Sequence, residues 1–233
     1  MKLRLLAAAL AALTLAAGAA TAQDTQSEKG KLSYALGYDL GRNLAESGEQ
    51  VDVNTVVQAV RDGFAKKDPT VPVDQLRSAV EGMQKRQQAR MQAEFNKLAA
   101  ANKTASDAFL AQNKAKSGVK TLPNGVQYRV IETGNGAKPT MNSDVQLQYK
   151  GSLPDGTVLI DTSQAREGQP AGPVSMKVSQ IPLVGLRDAL AQMPAGSRWE
   201  VVIPGDKAYG TNMQAGRMAN QAVVFDVKLL SVK

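Results

Sequence analysis

The sequence predicts an α+β protein with an all-helical first half and a strand-rich second half built round one short helix. Two observations predict the helical half: apolar residues recur at helical spacing over residues 28–64, and residues 73–116 lack proline and are dominated by strong helix formers. A third predicts the strands, because after Ser117-Gly118 the pattern changes to alternating apolar and polar residues. With 233 residues, the chain is long enough for two modest domains.

The first 22 residues have the features of a secretory signal peptide. Lys2 and Arg4 precede an apolar stretch, and Ala20-Thr-Ala22 offers small residues for cleavage before Gln23. The alternative is a membrane anchor, but the apolar run is shorter than the ~20 residues that span a bilayer. We therefore expect an exported protein that is periplasmic, secreted or associated with the outer membrane, without stable membrane insertion once the signal is removed.

Charge and composition exclude several classes of function. The formal net charge is +7, of which Lys2 and Arg4 supply two, and this mild, dispersed charge does not indicate a nucleic-acid partner. The chain has no His and no Cys, which excludes Ser-His and Cys-His nucleophile pairs, ordinary zinc sites, disulfides and thiol-linked lipid anchors. We expect no metal and no cofactor, so any chemistry must use carboxylates, hydroxyls, amides or shape.

Two short helices are predicted first. Helical spacing of apolar residues indicates one over residues 28–46, in which Gly37 and Gly41 expose a narrow strip of backbone suited to close packing against another helix. The second begins with Asn54 as a candidate N-cap and ends before Asp68-Pro69.

A third, much longer helix is predicted from Val73 to about Lys116. Its apolar stripe covers only the first half, so we expect that half to bury a face and the second half to run through solvent. Because these helices are too sparsely apolar to close a core alone, residues 24–98 are predicted to form half of a dimer interface. The alternative is a monomeric three-helix cap. The Lys and Arg residues of the long helix are interspersed with acidic ones and lack aromatic neighbours, which indicates a solvated face.

The last part of the chain, residues 118–233, is predicted to be a sheet domain. Alternation and turn residues indicate strands over residues 126–131, 145–149, 157–160, 199–203 and 222–232, with one helix over residues 183–192. The predicted organisation is a signal peptide (1–22), a helical dimerisation module (23–72), a long connecting helix (73–117) and the sheet domain (118–233).

A set of short motifs in the sheet domain resembles the FKBP-type peptidyl-prolyl cis-trans isomerases. In the family's order these are Val145-Gln-Leu-Gln-Tyr-Lys-Gly151, Asp155-Gly-Thr157, Ile160-Asp161, Gly185-Leu-Arg-Asp-Ala-Leu190, Met193-Pro-Ala-Gly196, Ala208-Tyr-Gly210 and Val224-Phe-Asp-Val227. The first half resembles the Mip/FkpA (macrophage infectivity potentiator) branch. The stretches concerned are Lys31-Leu-Ser-Tyr-Ala-Leu-Gly37, Val51-Asp-Val53, Glu94-Phe-Asn96, Ala108-Phe-Leu110 and Leu122-Pro-Asn-Gly125.

The resemblance implies an exported homodimer joined through its N-terminal helices, with each long helix leading to an antiparallel half-barrel around the short helix. It implies catalysis of rotation about Xaa-Pro bonds, without covalent change, in an apolar pocket that receives proline-containing unfolded or exported polypeptides. Tyr209 is then the hydroxyl that donates to a substrate carbonyl, and the main-chain N–H near Leu183 donates to another. Asp161 lines the pocket and orients Tyr149 or accommodates the twisting amide. The apolar wall positions are Tyr149, Met176 and Phe225.

The chain departs from the family pattern at several pocket positions. Leu186 stands where the family has the Trp of the pocket floor, Ile160 and Met176 replace Phe, and Arg217-Met218-Ala219 replaces Ile-Pro-Pro. Leu lacks the flat face on which a pyrrolidine ring rests, and a loss of ~1–2 kcal/mol there would lower the rate roughly tenfold. We therefore expect a weakened isomerase. The alternative is a dimeric periplasmic chaperone or peptide-binding clamp with vestigial isomerase activity.

Overall fold

A computed structural model describes residues 25–165, 168 and 170–233. The predicted signal peptide lies outside the described residues. The chain divides into two compact units, one ending at Met83 and the other covering Gln84–Lys233. This division falls inside the long helix, whereas the sequence prediction treats residues 73–117 as a segment of its own; those domain limits stay a prediction.

Three helices precede the strands. They are α1 (Glu28–Glu46), α2 (Val53–Phe64) and α3 (Val73–Lys114). The N-cap of α2 is Asp52 and not the predicted Asn54, because the Asp52 carboxylate accepts a hydrogen bond from the Thr55 backbone N–H at 2.8 Å. Neither α1 nor α2 has a buried residue. No helix in the described part of the chain combines the length and apolarity needed to cross a membrane.

In the single chain, α3 buries residues in its second half, which the sequence predicts to run through solvent; burial of its first half against a second copy stays a prediction. Its first half has exposed apolar side chains, including Val80 and Met91, while its buried residues are Ala99, Ser106 and Asn113 in the second half. These three are seven residues apart, about two turns each, so they lie on one face. The prediction of a solvated second half is wrong because this face packs through small and polar side chains, which carry no apolar periodicity.

The second unit contains an antiparallel sheet of seven strands within the described residues. They are β1 (Val119–Thr121), β2 (Gln127–Glu132), β3 (Asp144–Ser152), β4 (Val158–Asp161), β5 (Val174–Lys177), β6 (Arg198–Ile203) and β7 (Val223–Val232). The strand order is β1-β2-β6-β7-β3-β4, and β5 pairs with β3. Strands β1 and β5 are absent from the sequence prediction, since each is too short to show alternation.

One short α-helix, α4 (Val184–Leu190), packs against this sheet and completes the core, and three 3-10 turns lie at Val178–Gln180, Gly205–Lys207 and Met213–Met218. Its inward residues Leu186, Ala189 and Leu190 are buried together with apolar side chains of β3, β6 and β7. The predicted helix at residues 183–192 is therefore present but shorter, with Leu183 as its N-cap. Core and candidate site adjoin, because the outermost core residues face a cavity beside the start of α4.

Candidate active site

One small apolar cavity, of about 190 Å³, opens between the sheet and the start of α4. Its lining residues are Leu147, Tyr149, Ile160, Met176, Ile181, Pro182, Leu183, Leu186, Tyr209 and Phe225. Every site residue that the sequence predicts, apart from Asp161, therefore lines the same cavity. Its volume is below the ~300–1,000 Å³ typical of sites for drug-sized ligands, so it suits one compact side chain.

The inner surface of the cavity is fixed by buried side chains from two elements. Leu186 on α4 is 4% exposed, and Phe225 on β7 is 3% exposed. The ring of Tyr149 on β3 lies against that of Phe225, with centroids 6.1 Å apart and planes at 51°. Gly151 permits this packing, because a Cβ there would lie 2.7 Å from Phe225 Cε1 and 2.9 Å from Ile160 Cγ2. These walls are continuous with the core and are held rigidly by it.

Two hydrogen-bond donors stand at the cavity without partners in the described part of the chain. The Tyr209 side chain is 40% exposed, and its hydroxyl makes no hydrogen bond within those residues. The Leu183 carbonyl accepts from the N–H groups of Leu186 and Arg187 at 3.1 and 3.2 Å, but the Leu183 N–H has no partner among the described residues. An apolar cavity with two available donors can hold a ring together with nearby carbonyl groups.

Asp161 lies beside this cavity. It lines an adjoining cavity of about 390 Å³ that shares Tyr149, Ile160 and Met176 with the first. Its Oδ1 accepts hydrogen bonds from the backbone N–H and the hydroxyl of Ser163, at 2.9 and 2.6 Å. The structure thus puts the carboxylate on the last residue of β4, next to the shared wall.

Sequence reasoning missed several residues of this region. Leu147, Ile181 and Pro182 also line the small cavity. Thr162 is buried and fixes the Tyr149 backbone, since its N–H donates to the Tyr149 carbonyl and its hydroxyl accepts from the Tyr149 N–H, both at 3.0 Å. Leu147 could have been found from the alternation of β3, in which it is one of the inward-facing apolar residues. The positions of Ile181, Pro182 and Thr162 depend on loop geometry, which the spacing of apolar residues does not predict.

Two family models match consecutive parts of the chain. Residues 29–130 match the domain amino-terminal to FKBP-type peptidyl-prolyl isomerase, and residues 135–230 match the FKBP-type peptidyl-prolyl cis-trans isomerase itself. The chain belongs to the FKBP-type peptidyl-prolyl cis-trans isomerase family. This membership confirms the resemblance seen in the motifs of the sheet domain.

Individual relatives extend this agreement over the whole chain. The outer membrane protein MIP of Legionella longbeachae is 39% identical over 236 residues, covering 100% of this chain and 99% of the relative. The peptidyl-prolyl cis-trans isomerase Mip of Coxiella burnetii is 34% identical over 222 residues, covering 95% and 94%. The crystal structure of FkpA from Escherichia coli matches with a TM-score of 0.65 and 28% identity, over 89% of this chain and 98% of that one. Together they confirm the predicted α+β fold with an FKBP-like domain and the predicted isomerase class.

Proposed function

We propose that the 190 Å³ cavity is the catalytic site of this isomerase, where it takes up the proline ring of an Xaa-Pro segment. The observation that carries the proposal is the convergence of the motif residues on one apolar cavity that has two available donors, the Tyr209 hydroxyl and the Leu183 N–H. No covalent step and no cofactor are needed for this reaction.

The physical problem is the conjugation of the amide bond. Resonance holds the bond planar with a barrier of ~18–20 kcal/mol, and Xaa-Pro bonds isomerise unaided in tens to hundreds of seconds. The planar form separates charge between oxygen and nitrogen more than the twisted form does. An apolar site that removes the proline from water therefore favours the twisted form, provided that a few hydrogen bonds hold the chain in place.

Each polar group at the cavity has a proposed part in this rotation. The Tyr209 hydroxyl donates to a substrate carbonyl, and the Leu183 N–H donates to a second carbonyl, so the chain is held on both sides of the rotating bond. Asp161 faces the carbonyl of the twisting amide from the adjoining cavity, while Tyr149, Ile160 and Met176 form the wall between the two cavities. Leu186 and Phe225 provide the floor.

We propose that the substrates are proline-containing unfolded or exported polypeptides. The proline cavity is small, and the adjoining cavity of about 390 Å³ gives room for the residues next to the proline. A flexible chain can present a proline in this way, whereas a folded surface rarely can. Family membership and the named relatives favour the isomerase over the alternative of a chaperone with vestigial activity.

We also propose an exported homodimer that forms through the N-terminal helices. Apolar side chains of α1 and α2 stay exposed in the single chain, among them Leu36 at 65% and Phe64 at 93%. Apart from the neighbouring residues and backbone of α1 itself, no atom of the described residues lies within 4 Å of a Cβ built on Gly37 or Gly41, so this strip of α1 is open to a second copy. Location in the cell envelope is supported by the signal-like residues 1–22 and by the relative named as an outer membrane protein.

Replacing Tyr209 with Phe tests the proposed site, because it removes only the hydroxyl. Loss of one net hydrogen bond in the transition state lowers kcat/KM about threefold to tenfold in a protease-coupled assay with a proline tetrapeptide. The control is Tyr128→Phe, since Tyr128 stacks on Trp199 in the sheet and does not line the cavity. Equal activity of Tyr209→Phe and the parent protein would show that this hydroxyl takes no part.

A further inference from the structure

A set of side-chain hydrogen bonds fastens α3 to the segment that leads from Tyr209 into β7. Asn102 Nδ2 donates to the carbonyls of Arg217 and Ala219, at 3.0 and 2.9 Å. In the opposite direction, Asn220 Nδ2 donates to the Ala99 carbonyl at 3.0 Å. All of these residues belong to the second compact unit. The two amides thus tie residues 217–220 to one face of the helix.

The contact is closed at its centre and open at its edge. Ala99 is 6% exposed and Ala219 is fully buried, while Asn102 and Asn220 are half-buried and the hydrogen bond from Asn102 to Arg217 is exposed. One turn further along α3, the Ser106 hydroxyl accepts a hydrogen bond from the Ala222 N–H at 2.8 Å, and both residues are buried. The buried Ser106–Ala222 hydrogen bond is costly to leave unmade, and together with the part-buried bonds of the two asparagines it makes the position of this segment well defined.

Asn220 connects this contact to Tyr209. Its backbone N–H donates to the Gly210 carbonyl at 2.9 Å, and the Gly210 N–H donates to the Gly205 carbonyl at 2.9 Å. Gly205 also lies directly on the Asn220 backbone, because a Cβ there would be 2.3 Å from the Asn220 carbonyl carbon. The turn that carries Tyr209 therefore rests at both of its ends on Asn220.

The Asn220 backbone conformation is itself unusual. Its φ is +60°, a left-handed value that Asn tolerates better than other non-glycine residues. This conformation lets the residue direct its N–H at Gly210 and its side chain at Ala99. Asn220 thereby links α3 to the turn beside the cavity, so the position of the helix fixes the position of the turn.

We propose that Asn102 and Asn220 are positioning residues of the isomerase, which hold the Tyr209 hydroxyl at the cavity by fixing its turn on α3. This inference rests on the proposed function of Tyr209. It follows that α3 contributes to the site, because its residues 99–106 supply the groups that determine the position of Tyr209.

Variants of both asparagines, in the full-length protein, test the proposal. Asn220→Gly keeps the left-handed backbone but removes the bond to Ala99, and Asn102→Ala removes both bonds to residues 217 and 219. We expect each to lower kcat/KM for a proline tetrapeptide about threefold to tenfold, with circular dichroism unchanged. Two matched controls keep full activity. Asn96→Ala changes an exposed asparagine of α3 that bonds Gln92, and Lys66→Gly changes the other non-glycine residue with positive φ in the described chain.

The decisive measurement repeats the variants in a Tyr209→Phe background. If they act through the hydroxyl, they lose most of their effect there, whereas a general loss of stability lowers the rate equally in both backgrounds. Hydrogen exchange gives a second readout: residues 205–210 exchange faster in Asn220→Gly, and β3 does not.

The outcomes separate the two proposals. Equal effects in both backgrounds, or unchanged activity of both asparagine variants, overturn the positioning role and leave the role of Tyr209 intact. A Tyr209→Phe variant with full activity overturns both. Because the two asparagines approach the contact from opposite sides, one variant that fails to fold leaves the other to decide.

Discussion

At the scale of single residues, Leu186 sets the character of the cavity floor. The residue is 4% exposed and lines the cavity together with Tyr209 and Phe225. A branched aliphatic side chain gives a proline ring less contact area than an aromatic plane does. The polar groups at the cavity therefore supply a larger share of transition-state stabilisation than they would above an aromatic floor.

We predict that Leu186→Trp raises kcat/KM about tenfold, because an indole restores a flat apolar surface worth ~1–2 kcal/mol. Leu186→Phe should give an intermediate increase. Overpacking typically costs ~1–3 kcal/mol, so the melting temperature of each variant is measured alongside its rate. A folded Leu186→Trp variant with an unchanged rate would contradict the prediction and put the limit elsewhere, for example at Arg217.

Fluorescence gives this prediction a second measurement. Trp199 is the only tryptophan in the chain, and it stacks on Tyr128 in the sheet with ring centroids 4.4 Å apart. It does not line the cavity. Peptide binding should thus leave the emission of the parent protein unchanged while altering that of Leu186→Trp, and an equal response from both proteins would show that Trp199 senses the ligand.

At the scale of elements, the outer face of the sheet is cross-linked by charged side chains from β2, β6 and β7. Arg198 forms two hydrogen bonds to the carboxylate of Asp226, at 2.8 and 2.7 Å. Glu132 accepts from Lys228 at 3.0 Å and lies 3.7 Å from Arg198. The β-bulge between Val130 and Glu132 brings Glu132 opposite Arg198. These pairs join three neighbouring strands.

We predict that Glu132 stabilises the fold at neutral pH and that this stabilisation is lost in acid. Its hydrogen bond to Lys228, and more weakly the charges of Lys228 and Arg198, lower the pKa of Glu132 from its ordinary value of 4.5. A carboxylate with a lowered folded-state pKa stabilises the fold above its unfolded pKa, and this contribution is lost as pH falls through the folded pKa. Glu132→Gln should therefore lower the melting temperature at pH 7 by more than at pH 3. Since the pair is exposed, the difference at pH 7 should shrink in high salt, and a constant difference at all pH values would contradict the prediction.

The elements also show what the sequence can and cannot predict. Helix α1 has the predicted limits, because its apolar spacing and the Ser27 cap both act locally. The packing of α3 through Ala99, Ser106 and Asn113 could not be predicted, since small and polar side chains leave no apolar period. The motif residues indicated the cavity, but the place of Asp161 beside it and the part of Thr162 depend on the turn after β4. Local sequence patterns therefore predict the limits of helices and strands, whereas the geometry of the site depends on contacts between residues distant in the sequence.

At the scale of the whole molecule, the first compact unit lacks a core of its own in the described residues. Helix α2 is strongly one-sided, and its apolar positions Val53, Val57, Val60 and Phe64 follow helical spacing yet remain 43–93% exposed. Side chains of this kind contribute ~1.5–3 kcal/mol each only when they are removed from water. A second copy that covers this face would give these helices the apolar contacts that one chain does not provide.

We predict that Phe64→Asp prevents the proposed dimer from forming in the full-length protein, because a carboxylate on the apolar contact would have no partner. Sedimentation velocity at micromolar concentration should show the mass of one chain for this variant and of two for the parent. The control is Gln50→Asp, which adds the same charge at an exposed position of the first unit outside α1 and α2. Activity on a short proline peptide should be unchanged in both variants, since the cavity residues all lie in the second unit. A Phe64→Asp protein that still sediments as a dimer would assign the interface to another surface.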